Sequence, residues 1–340
     1  MAVVTVDNTE VYVAGRRVAG GDEPAAAVRD ARRRGGFAWI GLRRADAGDL
    51  HRIAAELNLH PLAVADSLRG HQRAKLEHFG DMTFVVLQPA RYIDSSETVE
   101  FTEVDLFVGH DFLVTVVDDD MVDVDGMRER LAEHPDILAK GVYGVVWAVI
   151  EHLVNAYGPV LGGVENDIDE IEDELFSRDP DVAQRIFKLQ REVIDLQHAT
   201  APLGDMLDRL QPIAAEAMDT AEAPAFRDID DRARHINDRV GGFRHTLDNA
   251  LTVNATLADE ARNEEMRRLT EFGIQQNDQV KKSSSWAAIL FAPTLVGTIY
   301  GMNFDNMPEL DWEFGYPVAL LAMLTTSVTL FLVFKHKDWL

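Results

Sequence analysis

Ser283-Ser-Ser-Trp-Ala-Ala-Ile-Leu-Phe-Ala-Pro-Thr-Leu-Val-Gly-Thr-Ile-Tyr-Gly-Met-Asn-Phe304 and, ten residues on, Phe314-Gly-Tyr-Pro-Val-Ala-Leu-Leu-Ala-Met-Leu-Thr-Thr-Ser-Val-Thr-Leu-Phe-Leu-Val-Phe334 contain no Asp, Glu, Lys or Arg. At the rise of an α-helix each run reaches roughly 30 Å, the thickness of a bilayer's hydrocarbon core. Two such runs joined by a short loop predict a pair of transmembrane helices, over about 283–304 and 314–334. Lys281 and Lys282 precede the first run, and Lys335 and Lys337 follow the second. The loop 305–313 carries Asp305, Glu309, Asp311 and Glu313 and no Lys or Arg. The positive-inside bias then puts both termini in the cytoplasm and the loop outside. Trp286, Tyr300, Trp312, Tyr316 and Trp339 fall at or near the expected interfaces. The chain is thus expected to be a multi-pass protein of the cytoplasmic membrane, with everything up to residue 280 cytosolic.

Working back from the membrane, the chain divides into a cytosolic α/β (or α+β) domain, 1–141, a long-helix and stalk region, 142–282, and a transmembrane domain, 283–340. Ala2–Val6, Phe37–Ile40, Met82–Leu87, Val99–Val108 and Phe112–Val117 are β-branched and aromatic enough to be strands. Pro24–Arg34 and Ala45–Leu57 have helical composition, and Gly35-Gly36 ends the first before a strand. From about Asp120 the pattern becomes helical. Val142–Tyr157 is mostly apolar. In Glu165-Asn-Asp-Ile-Asp-Glu-Ile-Glu-Asp-Glu174, Ile168 and Ile171, with Leu175 beyond, form a narrow apolar stripe on an acidic helix. Asp179-Pro180 punctuates it, and Val182–Leu210 makes an antiparallel partner. A last helix begins near Phe226 and meets no breaker before the first span, a length of about sixty residues that suits bundling with copies of itself.

The formal charge is -25, from 58 acidic against 33 basic side chains. That balance argues against nucleic acid and for cations as partners. With no cysteine, disulfide and thiolate–metal chemistry are excluded. No basic region followed by an apolar run stands at the start, so no cleavable signal is expected. There is no phosphate-binding glycine loop, Gly-x-Ser-x-Gly elbow or His-Glu-x-x-His, and no enzyme is expected. Asp118–Gly126 resembles an EF-hand loop only superficially. With Gly126 at the sixth position, Met121 and Ala132 would stand where the first and last ligands belong.

Gly301-Met302-Asn303 closes the first run, and Met307-Pro-Glu-Leu310 follows in the loop. In that position they resemble the signature of CorA-type magnesium transporters. The resemblance extends to His71-Gln-Arg-Ala-Lys75 before a strand, the acidic helix pair, Phe226-Arg-Asp-Ile229 and the terminal Lys337-Asp-Trp-Leu340. It implies a homopentameric funnel, with stalk helices continuing into the first of two transmembrane helices, that passes Mg²⁺ (with Co²⁺ or Ni²⁺) through a pore lined by the first span.

Mg²⁺ dehydrates reluctantly, so a mouth for it must accept hydrogen bonds from its water shell rather than strip it. Five Asn303 amide oxygens suit that task, with the helix's negative end and Gly301 and Met302 beside them. Counting back in steps of three and four gives Thr298, Thr294, Phe291, Ala287, Ser284 or Ser283, Val280 and Asn277 on one side. Thr298 and Thr294 join the selectivity set; Phe291, Ala287, Ser284, Val280 and Asn277 are gate candidates, Phe291 foremost. Glu309 belongs to the outer loop. The resemblance further implies regulation by cytosolic Mg²⁺ bound between subunits by aspartates, for which Asp228 and Asp94 are the matching positions. Asn263–Arg268 and Asn277–Lys282 repeat 14 residues apart, which implies a longer stalk. Other readings are a proton-coupled transporter of Zn²⁺ or another divalent cation, and a non-conducting, membrane-anchored acidic sensor.

Overall fold

The computed structural model describes residues 6–18, 23–43, 47–70, 73–177, 181–217, 223–303, 307–308 and 312–340. They fall into two units, 1–254 and 255–340.

Among the described residues the first unit has nine strands: β1 (Val6–Val13), β2 (Arg16–Val18), β3 (Phe37–Arg43), β4 (Lys75–Phe79), β5 (Met82–Leu87), β6 (Ala90–Ile93), β7 (Thr98–Phe101), β8 (Val104–Val108) and β9 (Phe112–Val117). Seven form a mixed sheet in the order β2-β1-β3-β9-β8-β5-β4. Its one parallel pair is β3–β9, in register Ala38↔Phe112 to Arg43↔Val117. The β1–β2 hairpin turns on Ala14-Gly15, both at positive φ, which is what a two-residue hairpin needs to match strand twist. Strands β6 and β7 pair only with each other.

Successive residues of β3 point to opposite faces, and both faces are covered, so the strand is an unbroken apolar run. Ala38, Ile40 and Leu42 pack with Ala27, Val28, Leu50, Ile53 and Val64, from α1 (Pro24–Arg33), α2 (Ala47–Leu57) and α3 (Pro61–Arg69). Phe37 and Trp39 enter the opposite core, with Met127 and Leu131 of α4 (Val124–Ala132), Leu138 of α5 (Pro135–Leu138), Val146 and Ile150 of α6 (Val142–Ser177) and Leu189 and Val193 of α7 (Val182–Ala217). Prolines begin α1, α3 and α5, where the missing N–H has no intrahelical acceptor to lose.

The expected elements hold with adjustments. Expected strand 2–6 lies outside the described residues apart from Val6, which begins a longer β1. Val99–Val108 is two strands, because the chain turns at Thr102-Glu103 from the hairpin into the sheet. The apolar segment 142–157 and the acidic segment 165–174 are one 36-residue helix, running through Pro159. An internal proline costs a helix about 3 kcal/mol. Here burial of Tyr157, Val160, Leu161 and Val164 offsets it. Positions 179 and 180 lie outside the described residues.

The next helix, α8 (Ala223–Tyr300), is 78 residues long and shows no break at the expected membrane boundary. Up to Ala250 it contributes Ile229, Ala233, Val240 and Leu247 to the first unit's core. Within the second unit, α9 (Gly315–His336) packs antiparallel against its end. Trp286 meets Phe331, the Ser327 hydroxyl reaches the Ile289 carbonyl at 3.5 Å, and Gly297 faces Met323. Among the described residues, two helices are by length and composition apolar enough to cross a membrane. In α6 the apolar window is 61% buried inside the protein, which makes it a core helix; in α9 it is 6% buried. The first expected span falls short of that hydropathy, diluted by Ser283, Ser284, Ser285, Pro293, Thr294 and Thr298.

Candidate pore face and metal-sensing residues

Packing against α9 divides α8 into two sides. Ser285, Ile289 and Ala292 are buried on the α9 side. Asn277, Val280, Ser284, Ala287, Phe291, Thr294 and Thr298 are all exposed, so the face counted from the sequence is one that a single chain leaves uncovered. Phe291 is 66% exposed and Val280 56%. Among the described residues, nothing in the unit fills the space around them.

Hydrogen bonding along that face favours acceptors. The Thr298 hydroxyl donates to the Thr294 carbonyl at 2.7 Å. Its single proton is thereby committed to the helix, and its oxygen lone pairs remain for donors outside, such as waters around a cation. The helix closes with Gly301 N–H on the Gly297 carbonyl and Met302 N–H on the Ile299 carbonyl. Gly301, Met302 and Asn303 are exposed beyond the last turn. Gly301 does not adopt a left-handed conformation. It is close to its own helix instead: a Cβ there would lie 3.2 Å from the Gly297 carbonyl. Glu309 lies outside the described residues.

Asp94 and Asp228 both belong to the first unit but are not brought together. Asp94 opens a single 3-10 turn, Asp94–Ser96, at the tip of the β6–β7 hairpin and is exposed. Asp228 stands near the start of α8, 70% exposed, paired with Arg232 at 2.6 Å. Arg232 also reaches Glu151 and Asn155 of α6. Among the described residues no three Asp, Glu or His side chains converge closely enough to hold a metal ion within one chain.

Two features escaped the sequence reading. The acidic helix is not a free field of charge, because Arg185 of α7 holds Glu170 and Glu174 at 2.6 Å and Glu97 at 3.1 Å. The Tyr92 hydroxyl bonds both oxygens of Asp167, at 2.8 and 2.7 Å, and Asp167 is buried. Burial first, then this bond to a carboxylate, pushes the Tyr92 phenol far above its ordinary range. An acidic helix followed by one Arg near the start of its partner was the available signal. The hairpin residues that complete the arrangement are remote in sequence. The carboxylates of 118–125 are also employed structurally: Asp123 caps α4 through the Gly126 N–H, and Asp120 and Asp125 pair with Arg43.

Compared with known proteins, residues 34–336 match the sequence pattern described as "CorA-like Mg2+ transporter protein". A cobalt/magnesium transport protein CorA of Thermotoga maritima is 31% identical over 309 residues, which is 89% of this chain and 83% of that protein. A putative metal ion transporter of Bacillus subtilis is 29% identical, with 83% of each chain covered. Among solved structures, the complete CorA magnesium transporter of Methanocaldococcus jannaschii superimposes with a TM-score of 0.58 over the full length of both chains, at 14% identity.

Proposed function

This chain belongs to the CorA-like Mg²⁺ transporter family, and from that premise we propose that it admits hydrated Mg²⁺ passively through the cytoplasmic membrane, as a homopentamer with the Asn277–Asn303 face of α8 turned inward. The family consists of membrane transporters rather than enzymes; the ion, the assembly and the gate are this proposal's own content. The observation that carries it is the uncovered face of α8, which has no charge from Ser283 to Asn303, presents hydroxyls at 284, 294 and 298, and ends in Gly-Met-Asn. Hydroxyl and amide oxygens hydrogen-bond the water shell of Mg²⁺ without replacing it, which suits an ion that dehydrates reluctantly.

Support for self-association comes from the stalk. Every residue of α8 from 258 to 280 is exposed, including Met266, Leu269, Phe272 and Ile274. A helix draws most of its stability from packing of an apolar face, so so long a bare stretch calls for neighbours. Copies of itself supply them in register. In that assembly Phe291 rings form the narrow gate. Mg²⁺ shared between Asp94 and Asp228 of adjacent subunits keeps it shut when cytosolic Mg²⁺ is plentiful. Both termini are cytoplasmic and the 305–313 loop faces outward.

Asn303→Ala tests the mouth. It removes every amide acceptor from the proposed ring, and we expect Mg²⁺ uptake into proteoliposomes to fall by at least about tenfold, the effect of one lost polar contact repeated around the ring. Assembly, followed by size-exclusion chromatography, should be unchanged. Wild-type uptake by an assembled variant refutes the assignment. Comparing Mg²⁺, Co²⁺, Ni²⁺ and Zn²⁺ with and without a pH gradient separates this reading from a proton-coupled one.

A further inference from the structure

We infer that Arg185 is a positioning residue that locks the β6–β7 hairpin, and with it Asp94, onto α6 and α7; its bearing on metal sensing rests on the assignment of Asp94 proposed above. The hairpin is gripped by one face of α7, since Arg185, Lys188 and Glu192 are spaced by three and four. Arg185 bonds Glu97, the Lys188 ammonium donates to the Ser96 carbonyl at 2.5 Å, and Glu192 accepts the Val99 N–H at 2.9 Å. From α6, Asp167 takes the Tyr92 hydroxyl, while Glu170 and Glu174 close on Arg185 from the other side. Arg185 thus joins three segments at one point, with 16% of its side chain exposed.

Charge and backbone geometry both make this point decisive. Asp94, Glu97, Asp167, Glu170 and Glu174 gather at this junction, and Arg185 is the cation that ties hairpin to helices there by side-chain pairing. Without it, Glu97 on the hairpin and Glu170 and Glu174 on the helix are like charges that have lost the cation they share. Glu97 also sits at φ 51°, the left-handed region that a non-glycine residue adopts at a cost and keeps only when its surroundings enforce it. It ends the turn that begins at Asp94, its N–H bonding the Asp94 carbonyl. The pair Arg185–Glu97 therefore sets the conformation of the turn that presents Asp94. A guanidinium, planar and with five donors, can serve three carboxylates at once; an ammonium cannot do so with the same geometry.

Hydrogen–deuterium exchange of the full-length protein in detergent tests this, comparing wild type, Arg185→Gln and Arg185→Lys with and without Mg²⁺. Without metal, Arg185→Gln should speed exchange of residues 90–101 by about ten- to a hundredfold, the loss of one set of charge-assisted bonds, with β3 and β9 unchanged. Arg185→Lys should fall between. The Mg²⁺ concentration that protects the hairpin should rise in the same order. Unchanged exchange at 90–101 in Arg185→Gln, or an equal increase throughout the sheet, overturns the positioning role. The metal-free comparison decides the clamp whatever ion is transported. A wild-type hairpin indifferent to Mg²⁺, with Arg185→Gln still loosened, would instead remove Asp94 from the sensor and the sensing consequence with it.

Discussion

Asp105 stands on β8 beneath α3 with 3% of its surface exposed, and one of its carboxylate oxygens has no hydrogen-bond partner. Burial pushes its pKa up to about 8; the Ser67 hydroxyl opposes the rise, and the nearby carboxylates of Glu103 and Asp118 add to it. An acid whose folded pKa lies above its unfolded value holds a proton in the native state that the unfolded chain has released. Its stabilising contribution is complete below the ordinary value of 3.8 and is lost as pH rises toward about 8. Asp105→Asn mimics the protonated form at every pH. Relative to wild type, the variant should gain about 1 kcal/mol of stability per pH unit through that window, read as a rising difference in unfolding midpoint by circular dichroism. Parallel curves for the two proteins would mean that Asp105 does not hold its proton. Nothing in the sequence marks this residue, since an Asp inside an apolar strand looks the same whether the strand edge is wet or covered by a helix.

Neighbouring glycines in α6 show how one element is fitted to another. A Cβ on Gly163 would lie 2.3 Å from the Tyr92 ring of the hairpin, whereas one on Gly162 meets nothing within 4 Å. The two alanine substitutions should therefore differ in sign. Gly162→Ala gains helix propensity, up to about 1 kcal/mol. Gly163→Ala makes the same local gain but forces the ring and hairpin away, with a cost of about 1–3 kcal/mol typical of overpacking. Thermal melting of both variants checks this, and equal midpoints would refute the fitted contact. Residues 158–164 show what a window of sequence cannot display: the apolar stretch 142–157 and the acidic stretch 165–174 were legible separately, whereas the reason for Gly163 between them is an aromatic ring from a distant strand. By contrast, the apolar runs of β3, β5 and β9 were legible because burial on both faces leaves few polar positions in them, a single threonine in each of β5 and β9 and Arg43 at the end of β3. On α8, the stretch from Asn277 to Asn303 was legible as a face because helical period alone selects it. What would cover it is a question on which sequence periodicity is silent.

At the scale of the assembly, the charge of -25 bears on cation binding, and among the described residues no three acidic or His side chains form a metal site within one chain. If Mg²⁺ regulates this protein through Asp94 and Asp228, the site is completed only by a second subunit, and the metal is then a ligand of the closed assembly rather than of the folded chain. Carboxylates brought face to face repel until a cation lies between them, so Mg²⁺ bound there would favour the state in which subunits stay together. Asp228 is suited to this by exposure, yet it already carries an intrachain partner in Arg232. If Asp228 is a regulatory ligand, that partner would weaken its attraction for a second cation and keep Mg²⁺ affinity low. Asp228→Asn leaves Arg232 its contacts with Glu151 and Asn155, so the helix remains anchored to α6. The variant should need about tenfold more Mg²⁺ for protection of its cytosolic part against proteolysis, twice the free energy of an ordinary exposed ion pair because the ion is divalent. It should also show raised uptake at Mg²⁺ concentrations that close the wild type, since the closed state has lost the ligand that favoured it. Protection of the variant at the same Mg²⁺ concentrations as wild type would show that Asp228 is no part of the sensor.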